Sequence, residues 1–162
     1  MDTILLAAPA AHPTTLATPT MAAGPEPIAL ADGAYAPGAC NIGPWEIRRR
    51  RRSAIVGYAI AAAILAALIV MGVPVMVRAL VLFPIWGATV SWLQARRQFC
   101  VGFAVARLSN FTDGEAGRLQ VTDEAAHRAD MRMVRRMVFD AFVIAVAATV
   151  VVVGASAVLF PA

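Results

Sequence analysis

Three stretches of this chain are almost unbroken in apolar character, and the charged residues collect between them instead of alternating with them. Residues 53–71 carry no charge at all. At about 1.5 Å per residue, a helix of that length crosses the roughly 30 Å hydrocarbon core of a bilayer. Residues 75–94 repeat the pattern with a single charge, Arg78, and residues 138–160 repeat it with a single charge, Asp140. The pattern predicts an all-α membrane protein with three transmembrane helices, a hairpin plus a third span. An extended, Pro/Ala-rich N-terminal tail precedes them.

The punctuation between the apolar runs sets four segments. Residues 1–39 form a tail without arginine or lysine, in which Pro9, Pro13, Pro19, Pro25, Pro27 and Pro37 break any helix. With neither a basic start nor an apolar core of signal-peptide type, the tail is expected to stay on the mature protein. Residues 40–97 hold a basic junction and the hairpin, whose spans at about 53–71 and 75–94 are joined by Gly72-Val73-Pro74. Glycine permits the reversal and Pro74 suits the first turn of a new helix. Pro84 is expected to kink the second span. Residues 98–137 hold an apolar segment, read as lying along the membrane surface or packed under the hairpin, and then a charged helix capped by Thr122. Residues 138–162 are the third span.

Charge turns this pattern into a topology. The chain has no lysine, and every arginine except Arg78 lies outside the spans. Arg48, Arg49, Arg50, Arg51 and Arg52 abut the first span, Arg96 and Arg97 follow the second, and a basic helix precedes the third. Arginine blocks stay on the cytoplasmic side. The expected arrangement is therefore a multi-pass protein of a bacterial inner membrane, N-terminus cytoplasmic and C-terminus periplasmic. Arginines so placed favour anionic headgroups, by about 1 kcal/mol each, over nucleic acid as a partner. Arg78, one turn inside the outer end, is expected to snorkel to the headgroups.

Cys40-Asn41-Ile42, Glu46-Ile47 with its arginines, Leu93-Gln94-Ala95, Phe99-Cys100-Val101 and Asn110-Phe111 together resemble a family of small, uncharacterised bacterial membrane proteins. The resemblance covers residues 40–160 and leaves the tail outside it. It implies the hairpin, the charged helix and the last span, draws attention to both cysteines, and implies no activity.

The chemistry-bearing residues are few. Cys40 and Cys100 fall at the same end of the hairpin and form a candidate thiol pair, for redox work or as half of a soft-metal site, against a structural role as small buried side chains. Asp140 sits one turn from Arg136, and an i, i+4 ion pair is the simpler account of an acid at the interface. His12 and His127 lie away from mid-bilayer, so no tetrapyrrole held there by histidine is expected. Small residues, Gly87 with Ser91 and Gly154 with Val158, suggest close helix contacts. No catalytic constellation, metal site or cofactor is expected. These observations predict a non-catalytic accessory or scaffolding subunit, packed against larger integral membrane subunits and clasping a partner chain with its tail. The expected setting is bioenergetic, with a photosynthetic reaction-centre or light-harvesting assembly preferred. The alternative is redox or metal handling at Cys40 and Cys100.

Overall fold

The computed structural model describes residues 35–113 and 117–161. The reading of the tail as an extended clasp falls on residues outside these, apart from its last few positions, and so does part of the turn at Asp113-Gly114-Glu115. Three helices long and apolar enough to span a membrane dominate the chain, as the hydropathy pattern predicts.

Helix α1 runs Pro44–Val70 and therefore begins well before the apolar stretch, with the whole arginine run inside it. Gly43 is its N-cap and Pro44 its first residue, where a missing N–H costs nothing. Its far end closes through left-handed Gly72, with φ of 65°. The Gly72 N–H reaches the Ile69 carbonyl and the Val73 N–H reaches that of Leu68, both near 3.0 Å. This pair of bonds satisfies the last orphan carbonyls and turns the chain back.

The second span is not one regular helix. Helix α2, Val75–Arg78, passes into a 3₁₀ turn at Ala79–Val81 and then into α3, Leu82–Arg96. Pro84 lacks the donor that an α-helix would aim at Leu80, so the turn before it tightens. The third span belongs to a single 36-residue helix, α5, Glu124–Leu159, which joins the charged helix and the last span without a break. Its cap is Asp123, one residue later than the Thr122 expected, and the Asp123 carboxylate accepts from the N–H groups of Ala125 and Ala126.

Helix α3 is central, with α1 on one side and α5 on the other. In the apolar part of α1 the buried positions are Ala54 and Ala61, with Gly57 between them. A Cβ at Gly57 would stand 2.9 Å from the Cβ of Ala88, so glycine is what lets the backbones approach. On α5 the stripe Val134, Met137, Ala141, Ala145, Thr149 and Val153 is buried at three- and four-residue spacing. Gly87 and Gly154, by contrast, face open space, so the expected contacts at those positions are not made. Gly57 takes that role because it, unlike them, lies on the side of its helix that faces a neighbour.

Between α3 and α5 the chain forms short helix α4, Val101–Val105, and two three-residue strands, β1 Leu108–Asn110 and β2 Arg118–Gln120. The strands pair antiparallel, with Ser109 opposite Leu119. Phe99 and Ala104 are wholly enclosed and pack with Leu93, Val134, Met137 and Ala141. The segment thus packs against the end of α3 and the basic half of α5.

Candidate functional site

Asn41, Glu46, Gln94, Ser109, Asn110 and Asp130 are buried polar residues gathered where α1 begins, α3 ends and α5 begins. Asn41 is fully buried there. Its side chain accepts from the Cys100 N–H at 2.6 Å and donates to the Cys100 carbonyl at 3.1 Å, mimicking a strand pairing across 59 residues. The Asn41 backbone completes the junction: its N–H donates to the Gln98 carbonyl, and its own carbonyl accepts from Asn110. Gly43 then donates to the Asn110 carbonyl at 2.8 Å, making a parallel bridge between Ile42 and Asn110. A Cβ on Gly43 would lie 2.6 Å from the Phe111 carbonyl oxygen, so this crossing needs glycine. Gln98 occupies the left-handed region, φ 53°, where α3 terminates and hands its carbonyl to Asn41.

This junction brings both cysteines to one place as free thiols with different partners. Cys100 is 1% exposed, lies against Ile42 and Phe103, and its sulfur accepts a bond from Arg50 Nη2 at 3.1 Å. Cys40 is half-buried and points toward the Ile42 carbonyl and Gln98 Oε1, both at 3.8 Å. Burial pushes the Cys40 thiol above its ordinary range, partly offset by a hydrogen bond with the Ile42 backbone. The thiolate needed for nucleophilic or metal chemistry is thereby disfavoured at Cys40. Among the described residues, no three His, Cys, Asp or Glu side chains are gathered closely enough to hold a metal ion.

The arginine run divides by its position around α1. Arg50 turns inward to Cys100 and lies 3.8 Å from the buried carboxylate of Glu46. Arg48, Arg49 and Arg52 line an outward groove with Trp45, Ser53 and Val56, and Arg49 stacks on the Trp45 ring at 5.7 Å. Arg96 stacks likewise on Trp92 at 5.3 Å.

Two expected roles change. Asp140 pairs with Arg97 at 2.6 Å, across from α5 to the end of α3, and Arg136 has no ion pair among the described residues. The i, i+4 spacing permits a local pair, but the antiparallel packing offers Asp140 a better placed guanidinium. Arg78 does not snorkel; it is 1% exposed. Its guanidinium donates to the carbonyls of Val73, Ser156 and Phe160 at 2.9, 3.2 and 3.1 Å. It thus caps the negative end of α5, which lies beside it because the third span runs antiparallel to the second.

Asp130 was not singled out from the sequence. It is 1% exposed and accepts from Tyr35 Oη at 2.9 Å and from the Gly38 N–H at 2.7 Å. Gly38, with φ of 70°, lies against the Ala129 backbone. An acid on the otherwise apolar stripe of Ala126, Val134 and Met137, opposite Arg128 and Arg132, is the signal that points to it. The latch holds the turn from Tyr35 to Cys40 on α5, and burial with the Asp130 hydrogen bond pushes the Tyr35 phenol well above its ordinary range.

Set against known protein families, curated proteins and solved structures, the chain matches none of them. The fold itself defines the class: an all-α, multi-pass membrane protein of three spanning helices, with a hydrogen-bonded junction at its basic end.

Proposed function

We propose that this protein is a non-catalytic scaffolding subunit of a larger membrane assembly, with its basic end in the cytoplasm. The observation that carries the reading is the latch of Tyr35 and Gly38 on Asp130. It fixes the point from which the N-terminal segment leaves, and a fixed departure point is what a clasp on a partner needs. Two features support it. The Asn41 side chain and the backbone groups around it are spent on one another, which suits a rigid platform better than a substrate site. The apolar window of α1 is only 11% buried within the chain, leaving most of its circumference for lipid or for a neighbouring subunit's helices.

Extraction from native membranes in mild detergent followed by native electrophoresis tests the proposal. Co-migration with a large complex, lost when residues 1–34 are deleted, is the expected result; migration as a lone small protein overturns it. The thiol-based alternative has less support, because Cys100 is enclosed and burial pushes the Cys40 thiol above its ordinary range. Alkylation of native membranes that is unchanged by prior reduction would remove it.

A further inference from the structure

Of the five consecutive arginines, three build a surface that the other two do not share. Trp45, Arg48, Arg49, Arg52, Ser53 and Val56 recur at three- and four-residue spacing, so they form one stripe of α1. That stripe lies about 140° around the helix, nearly opposite the face of Ala54, Gly57 and Ala61 that packs on α3. Between its side chains is an open groove of about 550 Å³. Arg48 and Arg52 are exposed and have no ion-pair partner among the described residues. Arg49 is drawn partly to Glu46, at 3.8 Å, and partly onto the Trp45 ring. Glu46 itself is turned inward and only 2% exposed at its side chain, so the groove presents three guanidiniums and no solvent-facing carboxylate.

We infer that this groove is a binding site for the headgroup of an anionic phospholipid. The guanidiniums supply forked donors for phosphate oxygens, and Ser53 adds a hydroxyl beside them. Trp45, held against Arg49, adds an indole, a side chain that favours the boundary between headgroups and acyl chains. The same stripe runs on through Val56 and Ile60, both more than half exposed, where acyl chains lie. A soluble anion would use the arginines alone; the continuation into an apolar face is what selects a lipid. Arg50 has no part in the site because Cys100 and Glu46 hold it on the other side, and Arg51 lies outside the groove. The inference is independent of the scaffolding proposal, since a lone protein would carry the same groove.

Titration of the full chain in dodecyl maltoside, read by native mass spectrometry, tests it with phosphatidylglycerol, phosphatidylcholine and glycerol 1-phosphate as probes. Phosphatidylglycerol is expected to bind at least tenfold more tightly than phosphatidylcholine. Arg48→Gln, Arg49→Gln and Arg52→Gln are each expected to weaken it about fivefold, whereas Arg51→Gln leaves it within twofold. Each variant keeps four arginines of the run, so membrane insertion is preserved. Equal losses from Arg51→Gln and from the groove variants would reduce the effect to net charge and overturn the site. Equal binding of the two lipids would do the same. Displacement of phosphatidylglycerol by equimolar glycerol 1-phosphate would show an anion site without lipid selectivity, and also overturn it.

Discussion

At the scale of single residues, the decisive positions are buried polar ones whose partners lie far off in sequence. Asn41 is the clearest. Replacing it with alanine leaves the Cys100 N–H unpaired in an enclosed site, at about 1–3 kcal/mol, while the Cys100 carbonyl keeps its bond from the Ala104 N–H. Asn41→Ala should therefore lower stability by about 1–3 kcal/mol and open Cys100 to alkylation, which a maleimide time course on the detergent-solubilised protein would show. If Cys100 reacts no faster in the variant, the pairing does not hold the junction. Tyr35 makes a pH-dependent counterpart. The docked phenol is held neutral, its pKa raised by burial and by the Asp130 bond. The latch is accordingly fully present below about pH 10, the ordinary phenol value. It weakens as pH rises above that value, because the undocked phenol ionises first. Phenolate absorbance should contain a late component that Tyr35→Phe removes. A Tyr35 that ionises near pH 10 would mean the latch is open. Neither pairing was legible beforehand: a buried asparagine and a surface asparagine look alike until the fold brings Cys100 back to it.

Hydropathy made the elements legible, and it misplaced mainly their edges. The three spans follow from uninterrupted apolar runs, because a bilayer leaves a helix as the only open-chain way to satisfy backbone groups. Helix α1 starts nine residues before the first span because arginine is a good helix former and Pro44 with Gly43 supplies a start. Strands β1 and β2 were missed because three residues carry no readable period. The close contact was sought at Gly87 and Gly154 and lies at Gly57, since spacing alone does not say which face of a helix meets a neighbour. That contact is testable. Gly57→Leu places a bulky side chain where Ala88 leaves no room, and overpacking of this kind costs about 1–3 kcal/mol. Gly87→Leu, facing open space, should cost little. Denaturation by SDS in mixed micelles would rank the two, and equal effects would mean α1 and α3 are not packed through Gly57.

At the scale of the whole molecule, α5 is tied to the hairpin at both of its ends. Near the basic end the tie is Arg97 with Asp140, about a third exposed on both sides. At the far end Arg78 binds the loop carbonyl of Val73 and the last carbonyls of α5. The two differ in kind. A partly exposed ion pair contributes about 0–1 kcal/mol. A buried guanidinium bonded to three carbonyls contributes more, on the order of 1.5–3 kcal/mol for a bond to a charged group, and its loss also uncaps a helix. Asp140→Asn should thus have a small effect and Arg78→Gln a several-fold larger one on unfolding in mixed micelles. Asp140 and Ser156 are sixteen residues apart on one helix, a separation of about 24 Å at 1.5 Å per residue. Sites so distant, sharing no partner, should act independently, and the double variant should lose the sum of the two. A double variant no worse than Arg78→Gln alone would mean that α5 detaches as one body once its far end is freed. The third helix would then be docked as a unit by a single buried arginine.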